Sequence, residues 1–414
     1  MVTRREFLGS SALLPFAASA QSGSPVRVAV VATIYTYLSH AQHIGDRFLV
    51  GYPNDGTWHK PNVRVVSLYV DQKPKGDLSE DRAKEFGFRV YPTIAEGLCC
   101  GGDRLACDAV LIVGEHGDYP RNEKGQILYP RYEFFEQCIK IFKDSGRAVP
   151  VYNDKHLSYS FEKAHAMVAA SKQLGFPMLA GSSLPVTWRL PDVEMPLGAH
   201  IEDAVMVGEG GSDAMDFHAF EAMQCMLERR KGGETGIKSV QLLDGDKVWE
   251  AGKSGIWSEE LLSSALSRSD TPLGLTVKDG RTQDLVGSGV LPSLVPHPAA
   301  YLIEYRDGLR AAMLMLDGAV QDFNFAAHVR GVGLISTQFL LSPTPNVTYS
   351  ACLVSKIEQM FTTGVAPYRV ERTLLTSGML ESCLTSRLQA SKRLETPHLA
   401  ISYNPPSESQ YCRG

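Results

Sequence analysis

Six short apolar runs follow one another between residues 26 and 183: VRVAVVA, VRVVSLYV, FRVYP, ACDAVLIVG, AVPVYN and FPMLAGSS. The stretches between them are polar or carry helical periodicity, such as DLSEDRAKEFG, TIAEGL, YEFFEQCIKIFKDSG and SFEKAHAMVAASKQLG. Runs that are apolar throughout suit strands buried on both faces, and their alternation with helices calls for a parallel sheet covered on both sides. The pattern predicts a doubly wound, Rossmann-like α/β domain over residues 25–182. In such a domain a ligand binds beyond the carboxyl ends of the strands. Those ends hold Ala32–Tyr37, Asp71, Gly114–Tyr119 and Asn153–His156.

After Pro191 the pattern changes. SDAMDFHAFEAMQCMLERR reads as a helix, while IKSVQLLDG, AAYLIEYRDG and LRAAMLMLDG read as strands with hairpin-type turns at LLDG and YRDG. VSKIEQMFTTG and VERTLLTSGMLESCLTSRLQA are closing helices. Residues 183–403 are therefore expected to form an α+β domain with an open, mainly antiparallel sheet, the last helices packing back on the first domain.

The first strand, Val26–Val31, runs into TIYTYLSH, with a helix expected from Tyr37. A dinucleotide-binding turn here carries G-x-G-x-x-G, so that backbone can approach a pyrophosphate. The three glycine slots read Ala32, Ile34 and Tyr37. A β-branched residue does not readily take the positive φ open to glycine. DRFLVGYPNDGTWHKPN then reads as an inserted loop. Asp71, ending the second strand, suits ribose hydroxyls and disfavours a 2′-phosphate.

The first 20 residues look like a twin-arginine export signal: Arg4-Arg5, then Phe7-Leu8, a short apolar run and an Ala18-Ser19-Ala20 cleavage site. The mature protein is expected to be periplasmic or secreted, with no membrane attachment after signal removal. A net charge of −5 supplies no basic field for nucleic acid. The 414 residues carry eight cysteines without a C-x-x-C spacing, so no metal framework is written in them.

EDRAKEFGFRVYPTIAEGL…DAVLIVGEHGDYP, GRAVPVYNDKHLSYSFEKAHAMVAASKQLGFPMLAG, GGSDAMDFHAFEAM and the closing helices, in this order and spacing, resemble the Gfo/Idh/MocA family of nicotinamide-dependent sugar and inositol oxidoreductases. The resemblance implies a tightly held NAD, a small sugar or polyol substrate and a homo-oligomer formed through the exposed sheet. It places the family's E-K-P lysine, which polarises the alcohol, at Lys155, with His156 in the proline's slot. It places the catalytic aspartate at Asp216, whereas the histidine usual four residues later is Phe220 and His218 stands two residues on. Ala32, Thr33, Ile34, Asp71, Gly114, Glu115 and His116 are then the cofactor-lining positions, and His218 or His116 the base.

Two other readings fit the same residues. A cofactor-free or metal-dependent lyase or hydrolase would draw divalent-metal ligands from His116, Asp118, His156 and His218, imidazole and carboxylate suiting first-row ions. A non-catalytic carbohydrate-binding protein would stack a sugar on Trp188, Tyr119 or Tyr132, residues equally suited to packing.

Overall fold

The structure, a computed structural model, describes residues 23–211, 213–270, 284–342, 344–345 and 347–413. The expected export signal, residues 1–20, lies outside the described residues. Among those described, no helix is long and apolar enough to cross a membrane.

Six parallel strands form the first sheet, in the spatial order Arg89–Tyr91, Val63–Val70, Val26–Ala32, Ala109–Val113, Val151–Asp154, Met178–Gly181. The first strand lies at the centre and the chain winds outward from it in both directions, so a crevice opens beside its carboxyl end. Its residues alternate between two cores. Val28, Val30 and Ala32 pack with the helices His40–Val50 and Tyr349–Thr363, while Ala29 and Val31 pack with Ile94–Cys99 and Arg131–Ser145. Gly87, Gly146 and Gly175 stop three of the helices in the left-handed conformation.

The predicted opening differs in detail. The helix starts at His40, not Tyr37, because Ser39 is its cap: the Ser39 Oγ accepts from Gln42 N at 3.3 Å. Residues 33–39 are a loop. The predicted insert is partly regular too, with the helix running to Val50 and a small hairpin pairing Tyr52–Asn54 with Thr57–His59.

The second sheet has eight strands, ordered Leu394–Glu395, Ile237–Asp244, Ala299–Tyr305, Arg310–Met315, Ile201–Gly208, Phe323–Val329, Gly333–Phe339, Arg189–Leu190. All neighbours are antiparallel except Arg310–Met315 beside Ile201–Gly208. One face packs on the helices Asp213–Leu227 and Glu371–Leu388. Asp246–Lys253 and Glu259–Leu266 pack on the other face, seated on Val205, Val207 and Leu314. LLDG accordingly leads into a helix rather than a hairpin.

Candidate functional site

The carboxyl ends of the first, fourth, fifth and sixth strands meet the amino-terminal half of the helix Asp213–Leu227. Asp154, Lys155 and His156 follow one another on the fifth strand's end, all buried, and point to three different partners. Lys155 sits at φ +62° and His116, across the crevice, at φ +67°. For non-glycine residues these left-handed conformations cost on the order of 1 kcal/mol each and persist where surrounding contacts over-determine them.

The Asp154 carboxylate lies 2.7 Å from His40 Nδ1. The Lys155 ammonium lies 2.5 Å from His218 Nε2, and His218 Nδ1 lies 2.5 Å from the Ser182 Oγ. With the ammonium donating to Nε2, the imidazole carries its proton on Nδ1 and donates it to Ser182. His156 Nε2 lies 3.0 Å from Asp213 Oδ2, and its Nδ1 faces Arg131 at 3.2 Å. Arg131 is fully buried, pairs with Glu115 and lies over the Tyr129 ring. The bare α-carbon of Gly114 admits it: a β-carbon there would stand 2.6 Å from the Arg131 Cγ.

Asp216 and His218 stand on different faces of their helix, as two residues at 100° per residue dictate. Asp216 turns away from Lys155, accepts from Gly211 N at 2.7 Å and takes the Tyr301 hydroxyl. It ties the helix start to the second sheet and is not part of the crevice. Asp213, five residues before His218, does reach the site, because at the helix's first turn it can lean across to His156.

Burial governs the electrostatics. It pushes the His218 and His40 imidazoles well below their ordinary range, and the nearby Lys155 charge pushes further in the same direction. Burial also lowers Lys155, against the pull of Glu115 and Asp154. Burial would raise Glu115, but Lys155 and Arg131 outweigh it and hold the group low; for Asp154 burial wins and the group is raised. Asp213 is held at about 2, burial being overcome by His156 and Gln126. The result is that the His218 and His40 imidazoles are held neutral around one buried ammonium, with carboxylates bound to partners.

Four participants escaped sequence reasoning: His40, His43, Arg131 and Ser182. The rings of His43 and His116 lie 4.8 Å and 5.1 Å from His40, and the Nδ1 of each is buried without a partner. The signal for the first two was available, as His40 and His43 are three residues apart on the first turn after the first strand.

The cofactor-lining residues are placed as follows. Ala32 and Ile34 are buried, and Thr33 Oγ1 donates to the Glu115 carbonyl at 2.7 Å. The Asp71 carboxylate accepts from the Tyr69 and Tyr119 hydroxyls, each at 2.7 Å. Thr36 N and Gln42 N donate to Ser39 Oγ, and Leu38 N donates to Gln42 Oε1 at 3.1 Å. Side-chain oxygens thus sit on the turn's amides where phosphate oxygens would, and hydroxyls sit on Asp71 where ribose hydroxyls would. The residues fit a dinucleotide once these side chains swing aside.

The proposed metal set does not assemble. Asp118 is bound through its backbone to the Gln72 side chain, His156 lies against the Arg131 guanidinium, and His218 lies against an ammonium. Cationic neighbours oppose a metal ion at both imidazoles. Among the described residues no group of three His, Cys, Asp or Glu side chains is arranged to hold one. The aromatic residues of the carbohydrate-binding reading are committed to packing: Tyr119 to Asp71, Tyr132 beneath the Lys163 ammonium, and Trp188 against the first-domain core.

No protein-family model matches the chain, and no curated protein matches it. Solved structures do. GenD2 from gentamicin A biosynthesis, in complex with NAD, matches at 16% identity over 90% of this chain and 97% of that one, with a TM-score of 0.54. A myo-inositol dehydrogenase from Corynebacterium glutamicum matches at 11% identity over 89% and 98%, with a TM-score of 0.51. The Lactobacillus casei myo-inositol dehydrogenase, in complex with NAD(H) and myo-inositol, matches at 11% identity over 89% and 96%, with a TM-score of 0.50. Over about nine tenths of its length, the chain has the two-domain fold of these solved dehydrogenases.

Proposed function

We propose that the protein is an oxidoreductase that oxidises a carbinol of a sugar or polyol, with NAD as its cofactor, after export by the twin-arginine route. The observation that carries this reading is the buried Lys155 ammonium between Asp154–His40 on one side and His218–Ser182 on the other, at the strand ends where this fold binds its ligands. The solved relatives that hold NAD and myo-inositol support the cofactor and substrate class. Asp71 and the turn Ala32–Ile34 would hold the ribose and phosphates of NAD, with Gly114, Glu115 and His116 bordering it, and the nicotinamide would supply the hydride acceptor.

Lys155 places positive charge beside the hydroxyl and lowers the energy of the developing alkoxide. The base is His40 rather than His218. Both His218 nitrogens are engaged, by Lys155 and Ser182, whereas His40 is oriented through Nδ1 by Asp154 and keeps Nε2 for substrate. A base held neutral by burial is ready to take a proton at pH 7.

Native mass spectrometry of the exported protein tests the reading. Release of a nicotinamide dinucleotide on denaturation, and turnover within a panel of inositols and hexoses, is the expected result. A protein that carries no dinucleotide and gains none with added NAD overturns it, and leaves the same acid–base residues to a cofactor-free lyase.

A further inference from the structure

Away from the crevice, two cysteines from distant parts of the chain meet. Cys352 is buried in the helix Tyr349–Thr363, within the first-domain core, and Cys412 lies half-buried against the same core in the segment after residue 403. Cys412 packs against the core cluster that contains Cys352, beside Lys356 and Gln359 of the same helix, and each thiol shifts the other's titration. The Cys412 amide donates to the Val186 carbonyl at 2.9 Å, which fixes its backbone beside the pair. Cys412 also lines an open groove with Tyr52, His59, Lys356 and Gln359, so an oxidant can approach it. Cys107 and Cys138, neighbours in the other core of this domain, have no such access, both being fully buried.

We propose that Cys352 and Cys412 are a disulfide-forming pair that staples the terminal segment to the helix backing the site. The oxidant is a protein or small-molecule disulfide. The Cys412 thiolate attacks one of its sulfurs, forming a mixed disulfide and expelling one thiolate. The Cys352 thiolate then attacks the Cys412 sulfur, closing the intramolecular bond and expelling the second. The protein's two thiols lose two electrons and two protons, and the oxidant leaves as two thiols. Cys412 is the attacking group because Cys352 lowers it, Lys356 assisting against burial and Asp55, while Cys352 is raised and waits as the resolving thiol.

The staple touches two elements that shape the crevice. Ser350, two residues before Cys352, donates to the His43 carbonyl at 3.2 Å, and Tyr349 packs edge-on against the His43 ring. Val186, which holds Cys412, follows Ser182 by four residues. Tyr411 lies beneath the Arg189 guanidinium, and Arg229 donates to the Pro406 and Ser407 carbonyls, so the whole segment is already seated before the bond closes.

Folded protein equilibrated with mixtures of oxidised and reduced glutathione, then alkylated and weighed intact, tests this whether or not the protein is exported. The expected product carries two fewer alkyl groups than the fully reduced protein treated in the same way, with Cys352 and Cys412 recovered as one linked peptide. Closing the loop over residues 353–411 raises Tm by roughly 5 °C. The C352S/C412S double variant shows neither change and melts with the reduced protein. Free thiols at every ratio, a cross-link mapped elsewhere, or oxidation without a rise in Tm overturns the proposal.

Discussion

In the proposed reaction Lys155 and His40 carry the chemistry, and each gives a separable prediction. Lys155→Ala lowers kcat by about 10²–10³-fold, the usual loss on removing an electrostatic donor aimed at a developing oxyanion; turnover of the responding polyol, with circular dichroism as control for folding, measures it. His40→Gln lowers kcat by about 10²–10⁴-fold, and Asp154→Asn falls in the same direction. The pH profile carries a second signature. His40 must be neutral to act, and burial holds its proton affinity well below the ordinary imidazole. Activity therefore persists as the pH falls through 6.5, where a solvated histidine would already be lost, and declines only below it. Of these groups the sequence made Lys155 legible, because a motif carries it. It could not reveal that His218 would be spent on Lys155 and Ser182, since that depends on where a loop 36 residues upstream in the chain comes to lie. Nor could it tell that Asp213 would reach His156: helical periodicity excludes the pair Asp213 and His218 from one face, but a side chain in the first turn escapes the periodicity.

Among elements, the turn between the first strand and first helix is the most revealing. The sequence showed that its glycines are gone, but the replacement appears only in three dimensions: Ser39 and Gln42 cover the exposed amides, and Tyr35 tucks beneath the helix where Gly45 leaves room for it, a β-carbon there standing 2.8 Å from the Tyr35 hydroxyl oxygen. Ser39→Ala removes the cap and costs about 1 kcal/mol in urea denaturation. The strands themselves were legible because runs buried on both faces leave an unambiguous apolar record. The small hairpin Tyr52–Asn54/Thr57–His59 was not, because it is three residues a side and only Tyr52 is buried, so it leaves little apolar record.

Across the whole molecule, stability depends on a carboxyl group at the junction of the two domains. Glu221 is fully buried, accepts from Thr376 at 2.7 Å and from Ser182 N at 3.3 Å, and is pushed up to about 7 by burial. Its folded value lies above its unfolded one, so its favourable share is complete below the unfolded value and is lost as the pH rises through about 7. Glu221→Gln flattens the stability profile between pH 4.5 and 7 by up to about 3 kcal/mol, read from urea midpoints across that range. The covering of the second sheet by Asp246–Lys253 and Glu259–Leu266 was illegible for a different reason: LLDG is as good a hairpin turn as a helix start, and only the apolar stripe at Val248, Leu261 and Leu262, meeting Val205 and Val207, decides between them. The consecutive residues Asp154, Lys155 and His156 bear on the molecule at this scale as well. The first is held by the first domain's own helix, and the next two by His218 and Asp213 of the second domain. Lys155 and His156 thus tie the two domains across the crevice, while Asp154 is held within the first.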